Sequence, residues 1–243
     1  MELKGKTALV TGSGIRLGRA IALALGKEGC DLALHYNRSS TEVDEVQEKL
    51  TEIGVRAKTF SANLRKKEAI DQLWQQVTDE LGVVDILVNN AGIYLPGNGM
   101  ATSYDTIQAQ MELHVYAPLW MSQAFRQQLP AEVPGKIVNI ADSKVFKRKT
   151  DHFAYRISKR ALIEMTQLLA LELAPDITVN AVAPGIMMPL AGHEDTDMDA
   201  VAERRIPLKR IGSPELIANA VVYLLKEDFI TGQILRLDGG ENL

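Results

Sequence analysis

The chain of 243 residues is short of the features that mark several large classes of protein. It has a single cysteine, Cys30, which excludes an internal disulfide and cannot by itself make a zinc site, so no metal centre is expected. Lying between a helix-like and a strand-like segment, Cys30 reads as a small apolar residue at a helix–strand junction. No stretch of about 18 apolar residues occurs, so nothing is expected to span a membrane. Met1-Glu2-Leu3-Lys4-Gly5-Lys6 runs straight into strand-like residues without an apolar signal region. No Lys/Arg run is long enough to suggest nucleic-acid binding, and a net charge of -4 gives no other reason to expect it. No Pro/Gly/Ser-rich linker, repeat or low-complexity tract divides the chain. What these absences leave is one domain spanning residues 1–243, expected to be cytoplasmic and in a reducing compartment. Apolar content of 46% and charged content of 24% are ordinary for a globular protein, and the length suffices for one large α/β domain with a substantial core.

What is present is an alternation. Short β-branched or apolar runs at Thr7–Thr11, Asp31–Tyr36, Arg56–Ser61, Asp85–Asn89, Lys136–Ile140, Thr178–Ala183 and Gln233–Leu237 read as strands. Between them, helical periodicity covers Leu17–Glu28, Thr41–Ile53, Lys66–Leu81, Tyr104–Gln128, Phe153–Leu173 and Pro214–Leu225, the last opened by Ser213 as N-cap with Pro214 at the first helical position. Strand–helix alternation of this kind builds βαβ units around a parallel sheet. The least regular stretch, Ile186–Arg205, is polar at its centre and suits either a mobile flap over a site or an ordinary surface insertion.

The first βα turn reads Thr11-Gly12-Ser13-Gly14-Ile15-Arg16-Leu17-Gly18. Glycines there let the backbone turn sharply and approach a pyrophosphate, with the helix N-terminus supplying N–H donors. The G-x-G-x-x-G spacing is incomplete, and Arg16 stands where a glycine is expected. The second strand ends in His35-Tyr36-Asn37-Arg38-Ser39, without the carboxylate that would bind a ribose 2′-OH. Arg38 and Ser39 instead offer a guanidinium fork and a hydroxyl, which suit a 2′-phosphate, so NADP(H) is the cofactor expected. Asn89-Asn90-Ala91-Gly92 and Pro184-Gly185 end later strands, where small residues and amides can line a cofactor groove or serve simply as turns. Tyr155 and Lys159 are four positions apart and project from the same face of a helix. A phenol beside an ammonium is a proton donor with a supported anion, suited to reduction of C=O or C=N.

Together these motifs resemble the short-chain dehydrogenase/reductase family along the whole chain, down to Asp238-Gly239-Gly240. The resemblance implies a three-layer, Rossmann-type, doubly wound sheet of about seven parallel strands, a nicotinamide cofactor, and a homodimer or homotetramer. It assigns the proton to Tyr155, and ribose binding and lowering of the phenol pKa to Lys159. Cofactor contacts are implied at Gly12, Arg16 and Leu17, at Tyr36 to Ser39, and at Asn63 and Leu64. They are implied again at Asn90, Ala91 and Gly92, and at Pro184, Gly185 and Ile186. Asn63 replaces an aspartate that commonly contacts adenine. Other departures resemble the pteridine reductase and dihydromonapterin reductase branch: Asp142 in place of a serine, Arg16 in the glycine turn, the His35–Ser39 strand end, Pro189 in place of a threonine, and Tyr94 where an aromatic stacks on the pterin. Gly92 replaces a serine of that branch. His114 stands where most members have an asparagine, and reads either as part of a relay to the lysine or as a hydrogen-bonded core histidine.

Asp142 poses an electrostatic problem. A unit charge about 4 Å away contributes roughly 4 kcal/mol at an effective dielectric near 20. Lys159 favours tyrosinate and an ionised Asp142 opposes it. The conflict is relieved if Asp142 is protonated, or if Tyr155 stays neutral and acts only as a proton source. The resemblance to the pteridine reductase branch implies a substrate site at Arg16, Tyr94, Asp142 and Tyr155, and NADPH-dependent reduction of a dihydropterin such as dihydrobiopterin or dihydromonapterin, or of dihydrofolate, is the activity expected. The alternatives are another carbonyl reductase, such as a 3-oxoacyl-thioester reductase, and a non-catalytic NADP(H) sensor. A different local reading has Asp142 capping a turn with Ser143 as the working hydroxyl. Lys144, Lys147, Arg148 and Lys149 read as a solvated basic face rather than a substrate clamp.

Overall fold

A computed structural model describes residues 1–243. In chain order the elements are β1 (Thr7–Thr11), α1 (Arg16–Lys27), β2 (Asp31–Tyr36), α2 (Ser40–Glu52), β3 (Ala57–Ser61), α3 (Lys67–Leu81) and β4 (Ile86–Asn89). There follow α4 (Tyr104–Met111), a π-helical turn (Glu112–Tyr116), α5 (Ala117–Gln128), β5 (Gly135–Ile140) and a 3-10 turn (Ser143–Phe146). The chain continues through α6 (Phe153–Leu173), β6 (Ile177–Pro184), α7 (Met198–Arg205), α8 (Pro214–Lys226) and β7 (Ile234–Leu237). All seven strands expected from the sequence are present. They form one parallel sheet in the order β3-β2-β1-β4-β5-β6-β7.

The strands read as near-continuous apolar runs because both faces of the sheet are covered. Ala8, Val10, Leu32 and Leu34 face α1, α2 and α8 on one side. Leu9, Ala33, Leu87 and Ile137 face α3, α5 and α6 on the other. Three layers result, in a Rossmann-type α/β domain. Between β1 and β4 the strand order reverses, and in open α/β sheets this opens a crevice beyond the carboxyl ends of the strands. No helix is long and apolar enough to cross a membrane.

Two segments differ from expectation. The helix foreseen over Tyr104–Gln128 is interrupted by the π turn, and π turns of this length concentrate at functional sites. Periodicity cannot reveal it, because one extra residue per turn leaves the apolar spacing on either side intact. The stretch Ile186–Arg205 ends in α7, a short and mostly polar helix capped by Asp197, whose carboxylate accepts from the Ala200 N–H at 3.0 Å. With so weak an apolar face, only the cap signals that helix. At α8, Pro214 sits in the first turn as expected, while the Ser213 hydroxyl caps no backbone N–H. Cys30 is buried, and its thiol donates to the Leu3 carbonyl.

A chain of polar side chains crosses the otherwise apolar core. Asn89 Nδ2 donates to Asn139 Oδ1 and Asn139 Nδ2 donates to Thr166 Oγ1, each at 2.9 Å, while the threonine hydroxyl donates to the Leu162 carbonyl at 2.7 Å. All three side chains are buried, so removal of the central one strands its neighbours away from water. Asn139→Ala is expected to destabilise the protein by about 2–4 kcal/mol in equilibrium urea unfolding, more than a buried amide loses by side-chain volume alone.

Candidate active site

The crevice at the strand-order reversal is a cleft of about 810 Å³. One end is built by the turn after β1. Gly12 turns with φ of +64°, and a Cβ on Gly18 would lie 1.9 Å from the Gly12 carbonyl oxygen, so only glycine lets α1 start this close to the strand. Arg16 adopts φ of +51°, in the left-handed region where glycine is the ordinary occupant, which explains the interrupted glycine pattern. Its guanidinium reaches across the cleft to donate to the Pro189 carbonyl at 2.8 Å. Leu17 packs its side chain against the core.

His35 holds this turn from below. The Gly12 N–H donates to His35 Nδ1 at 3.1 Å, and His35 Nε2 lies 3.0 Å from the Ala62 carbonyl. Because Nδ1 accepts, the proton sits on Nε2 and the ring is neutral. Burial holds its pKa down at about 4, against the opposing pull of the Ala62 carbonyl. The ring thereby joins the glycine turn to the end of β3, where Asn63 and Leu64 line the cleft. In the sequence His35 stands out only as part of the strand-end resemblance. A polar residue directly after the apolar run Leu32-Ala33-Leu34, still within the strand, is the available signal. Asn90 has a similar supporting role: its amide donates to the carbonyls of Thr11 at 2.8 Å and Gly12 at 3.0 Å, leaving the backbone edge of Ala91 and Gly92 toward the cleft.

Tyr36, Asn37, Arg38 and Ser39 line the same end, with Arg38 exposed at its mouth. Pro184, Gly185 and Ile186 close the opposite wall at the end of β6. Six Lys/Arg side chains line the cleft, namely Arg16, Arg38, Arg65, Lys144, Lys159 and Arg205, against one carboxylate, Asp142. Arg65 is paired with Glu112, and Arg205 with Glu241. The rest have no carboxylate oxygen within 4.0 Å. A glycine turn at a helix N-terminus, a guanidinium and hydroxyl at the β2 end and this excess of positive charge fit a dinucleotide carrying an additional phosphate.

At the other end α6 presents Tyr155 and Lys159 one turn apart. The Tyr155 hydroxyl donates to Asp142 Oδ2 at 2.7 Å, while Asp142 Oδ1 accepts the Lys144 backbone N–H at 2.7 Å as N-cap of the 3-10 turn. Asp142 thus caps the turn with one carboxylate oxygen and accepts the phenol hydrogen bond with the other. Ser143 is fully buried, accepts from Asn242 Nδ2 at 2.9 Å and does not line the cleft. Burial, reinforced by the Asp142 charge and hydrogen bond, raises the Tyr155 pKa well above its ordinary value. The raised phenol pKa agrees with the second way out of the electrostatic conflict, in which Tyr155 keeps its proton. Lys159 Nζ donates to the Ile140 carbonyl at 2.6 Å. Burial pulls its pKa down to about 8, against the favourable charge of Asp142.

His114 is a hydrogen-bonded core histidine with a definite task. Its Nε2 accepts the Ile93 N–H at 3.1 Å, so Nδ1 carries the proton, 2.9 Å from Ser158 Oγ, and that hydroxyl donates to the Tyr155 carbonyl at 2.9 Å. Burial, followed by the nearby Lys159 charge, keeps its pKa well below the usual range. A Cβ at position 92 would lie 3.1 Å from His114 Nε2, so the glycine there and the histidine go together. The segment beginning at Ile93 carries Tyr94 to the reacting end. Its ring stacks on His152 (centroids 4.0 Å apart, 13° between planes) and meets the Tyr155 ring edge-on at 4.7 Å. His152 was not foreseen; one face of Tyr94 is already covered by it. Lys147, Arg148 and Lys149 are exposed, as expected of a solvated face, but Lys144 turns inward and its Nζ lies 3.2 Å from Tyr94 Oη.

Residues 12–242 match the family model described as enoyl-(acyl carrier protein) reductase, and the chain belongs to the short-chain dehydrogenase/reductase family of oxidoreductases. It is 35% identical to an uncharacterised oxidoreductase of Mycobacterium tuberculosis (strain CDC 1551 / Oshkosh) over 98% of this chain and 93% of that protein. It is 32% identical to a 3-oxoacyl-[acyl-carrier-protein] reductase of Aquifex aeolicus (strain VF5), covering 99% of this chain and 98% of the other. In structure it is similar to FolM alternative dihydrofolate reductase 1 from Brucella canis complexed with NADP, with a TM-score of 0.94, 32% identity, and coverage of 99% of this chain and 95% of that one.

The depressed pKa of Lys159 has a signed consequence. The unfolded chain binds its proton up to 10.5 and the folded chain only to about 8, so wild-type stability rises as pH increases between those values and is lost as pH falls through 8. Lys159→Met lacks this dependence. In cofactor-free protein, wild type is expected to gain roughly 3 kcal/mol on the variant across that window, read as the difference between their urea midpoints at successive pH values.

Proposed function

We propose that the protein is an NADPH-dependent reductase of a pteridine, reducing a C=N bond of a dihydropterin such as dihydrobiopterin or dihydromonapterin, or of dihydrofolate. The observation that carries this reading is the hydrogen bond from the Tyr155 hydroxyl to Asp142 Oδ2. It makes the phenol a neutral proton donor beside a carboxylate that can return the proton, which suits delivery to a ring nitrogen. Likeness to the Brucella canis enzyme supports the reading.

In this reading the turn at Gly12, Arg16 and Leu17 takes the pyrophosphate, and Tyr36 to Ser39 take the 2′-phosphate. Asn63 and Leu64 flank the adenine, and Asn90 to Gly92 with Pro184 to Ile186 frame the nicotinamide. Bound NADPH supplies the hydride. Tyr155 gives the proton, and its loss would leave an anion against Asp142, so the phenol is quickly reprotonated from solvent through the carboxylate. Lys159, still charged at neutral pH, steadies the phenol through that exchange. Tyr94, Arg16 and Asp142 bound the space for the pterin, with the face of Tyr94 opposite His152 as the stacking surface.

We place the chain in the cytoplasm and read it as a homodimer or homotetramer, the assembly being supported by exposed Tyr104 and Tyr116 near α4, Leu168 and Leu171 on α6, and Tyr223 and Phe229 around α8. Reduction of a 3-oxoacyl thioester is the second reading, favoured by the Aquifex aeolicus relative. NADPH oxidation with dihydrobiopterin, dihydromonapterin, dihydrofolate and an acetoacetyl thioester tests both, and thioester turnover without pterin turnover overturns the first.

Asp142→Ser is expected to lower pterin turnover about 10²-fold or more. Since Asp142 raises the Tyr155 pKa, its loss also moves the alkaline limb of the rate profile to lower pH; an unchanged profile would refute the proposed proton route. Tyr94→Ala should weaken pterin binding about tenfold while NADPH affinity falls less, as stacking of this kind adds roughly 0.5–1.5 kcal/mol beyond burial. Equal losses for both ligands count against stacking.

A further inference from the structure

Lys144 stands apart from the other basic residues of its loop. Its backbone is fixed at both polar atoms: the N–H donates to Asp142 Oδ1 at 2.7 Å, and the carbonyl accepts from Arg156 Nη1 at 2.5 Å. Arg156 is in turn anchored by Asp151, with Nη2 to Oδ1 at 2.6 Å. These restraints turn the Lys144 side chain into the cleft while Lys147, Arg148 and Lys149 remain exposed. Its Nζ sits 3.2 Å from Tyr94 Oη and 4.7 Å from the centre of that ring. The Tyr94 hydroxyl oxygen engages one of its three ammonium hydrogens, and no carboxylate oxygen lies within 4.0 Å.

The charges of the cleft identify what is missing. Arg16 and Arg38 lie on the turns after β1 and β2, where the dinucleotide phosphates go, and Lys159 lies beneath the reacting end. Asp142, the one carboxylate, already accepts two hydrogen bonds. Lys144 is on the connection between β5 and α6, on the substrate side of Tyr155, and is left as a half-buried cation without a counterion. An unpaired cation losing water on ligand binding is costly unless the ligand brings the opposite charge.

We propose that Lys144 is a specificity-determining residue that binds an anionic group, carboxylate or phosphate, on the side chain of the substrate beyond the ring being reduced. The inference rests on the reading of Tyr155 and Asp142 as the reducing site, and it favours substrates with a charged tail, such as the glutamate of a folate, over pterins with a neutral one.

Calorimetric titration of folic acid and of biopterin into the NADP⁺-loaded protein tests this without turnover. The ratio of the two affinities is the readout, since it cancels any general change at Tyr94, and the NADP⁺ affinity of each variant reports whether the cleft is formed. Lys144→Ala should lower the preference for folic acid about tenfold, Lys144→Arg should retain it, and added salt should weaken folic acid more than biopterin. A preference unchanged in Lys144→Ala overturns the inference. If neither pterin binds, it is the pteridine reading that has failed. The same ratio is then taken with acetoacetyl-CoA, whose tail carries phosphates, and neutral acetoacetyl-N-acetylcysteamine: loss of the preference in Lys144→Ala upholds the role of the cation, and no change refutes it.

Discussion

Tyr155 keeps its phenol proton, directed at Asp142, in a place where a neighbouring ammonium would favour its loss, and the rest of the cleft is arranged around that balance. Burial alone disfavours a tyrosinate, and the carboxylate deepens the effect. Burial also weakens Lys159 as a cation, so the group that would otherwise promote tyrosinate is itself near the edge of losing its charge. The balance has consequences for distant residues. The carboxylate that sets it is also the cap of the 3-10 turn, so the backbone entering α6 and the proton on Tyr155 are governed by one side chain.

Two neutral histidines give the site its rigidity, one at each end. His35 connects the glycine turn to β3, and His114 connects the segment bearing Tyr94 to the helix bearing Tyr155. In both, one ring nitrogen accepts a backbone N–H, so each is committed to one tautomer and to an uncharged state, and burial enforces the commitment. The π turn at Glu112–Tyr116 is what brings His114 to the Ile93 backbone, and the bare backbone at Gly92 leaves it room. Two departures from the family pattern, Gly92 and His114, therefore reduce to one local solution.

How far this could be read beforehand depended on the range of the interaction. Strands and most helices were legible because their apolar spacing is local, and the turn around Arg16 because glycine and its left-handed stand-in mark a bend. Tyr155 and Lys159 stand out by their spacing and Asp142 by resemblance, while the direction in which the carboxylate shifts the phenol is visible only with burial. His152 and Lys144 were out of reach for another reason. Nothing in Lys144-Val145-Phe146-Lys147 distinguishes the lysine that turns in from the one that stays out, since the difference is made by Asp142 on one side and Arg156 on the other. The π turn was hidden because it preserves the apolar face of the helix it interrupts.

The buried line from Asn89 through Asn139 to Thr166 bears on how this sheet finds its alignment. Parallel strands made of small and branched apolar residues can slide past one another with little change in the area they bury. Asn89 lies opposite Asn139 in the observed pairing of β4 with β5. A shift of one residue would turn one amide to the other face and leave the remainder facing hydrocarbon, which a low-dielectric interior penalises heavily. The amides act as a key cut into an otherwise smooth surface, and because β4 leads into Asn90 and β5 into Asp142, the alignment they select is also the one that sets the two ends of the cleft at their working separation.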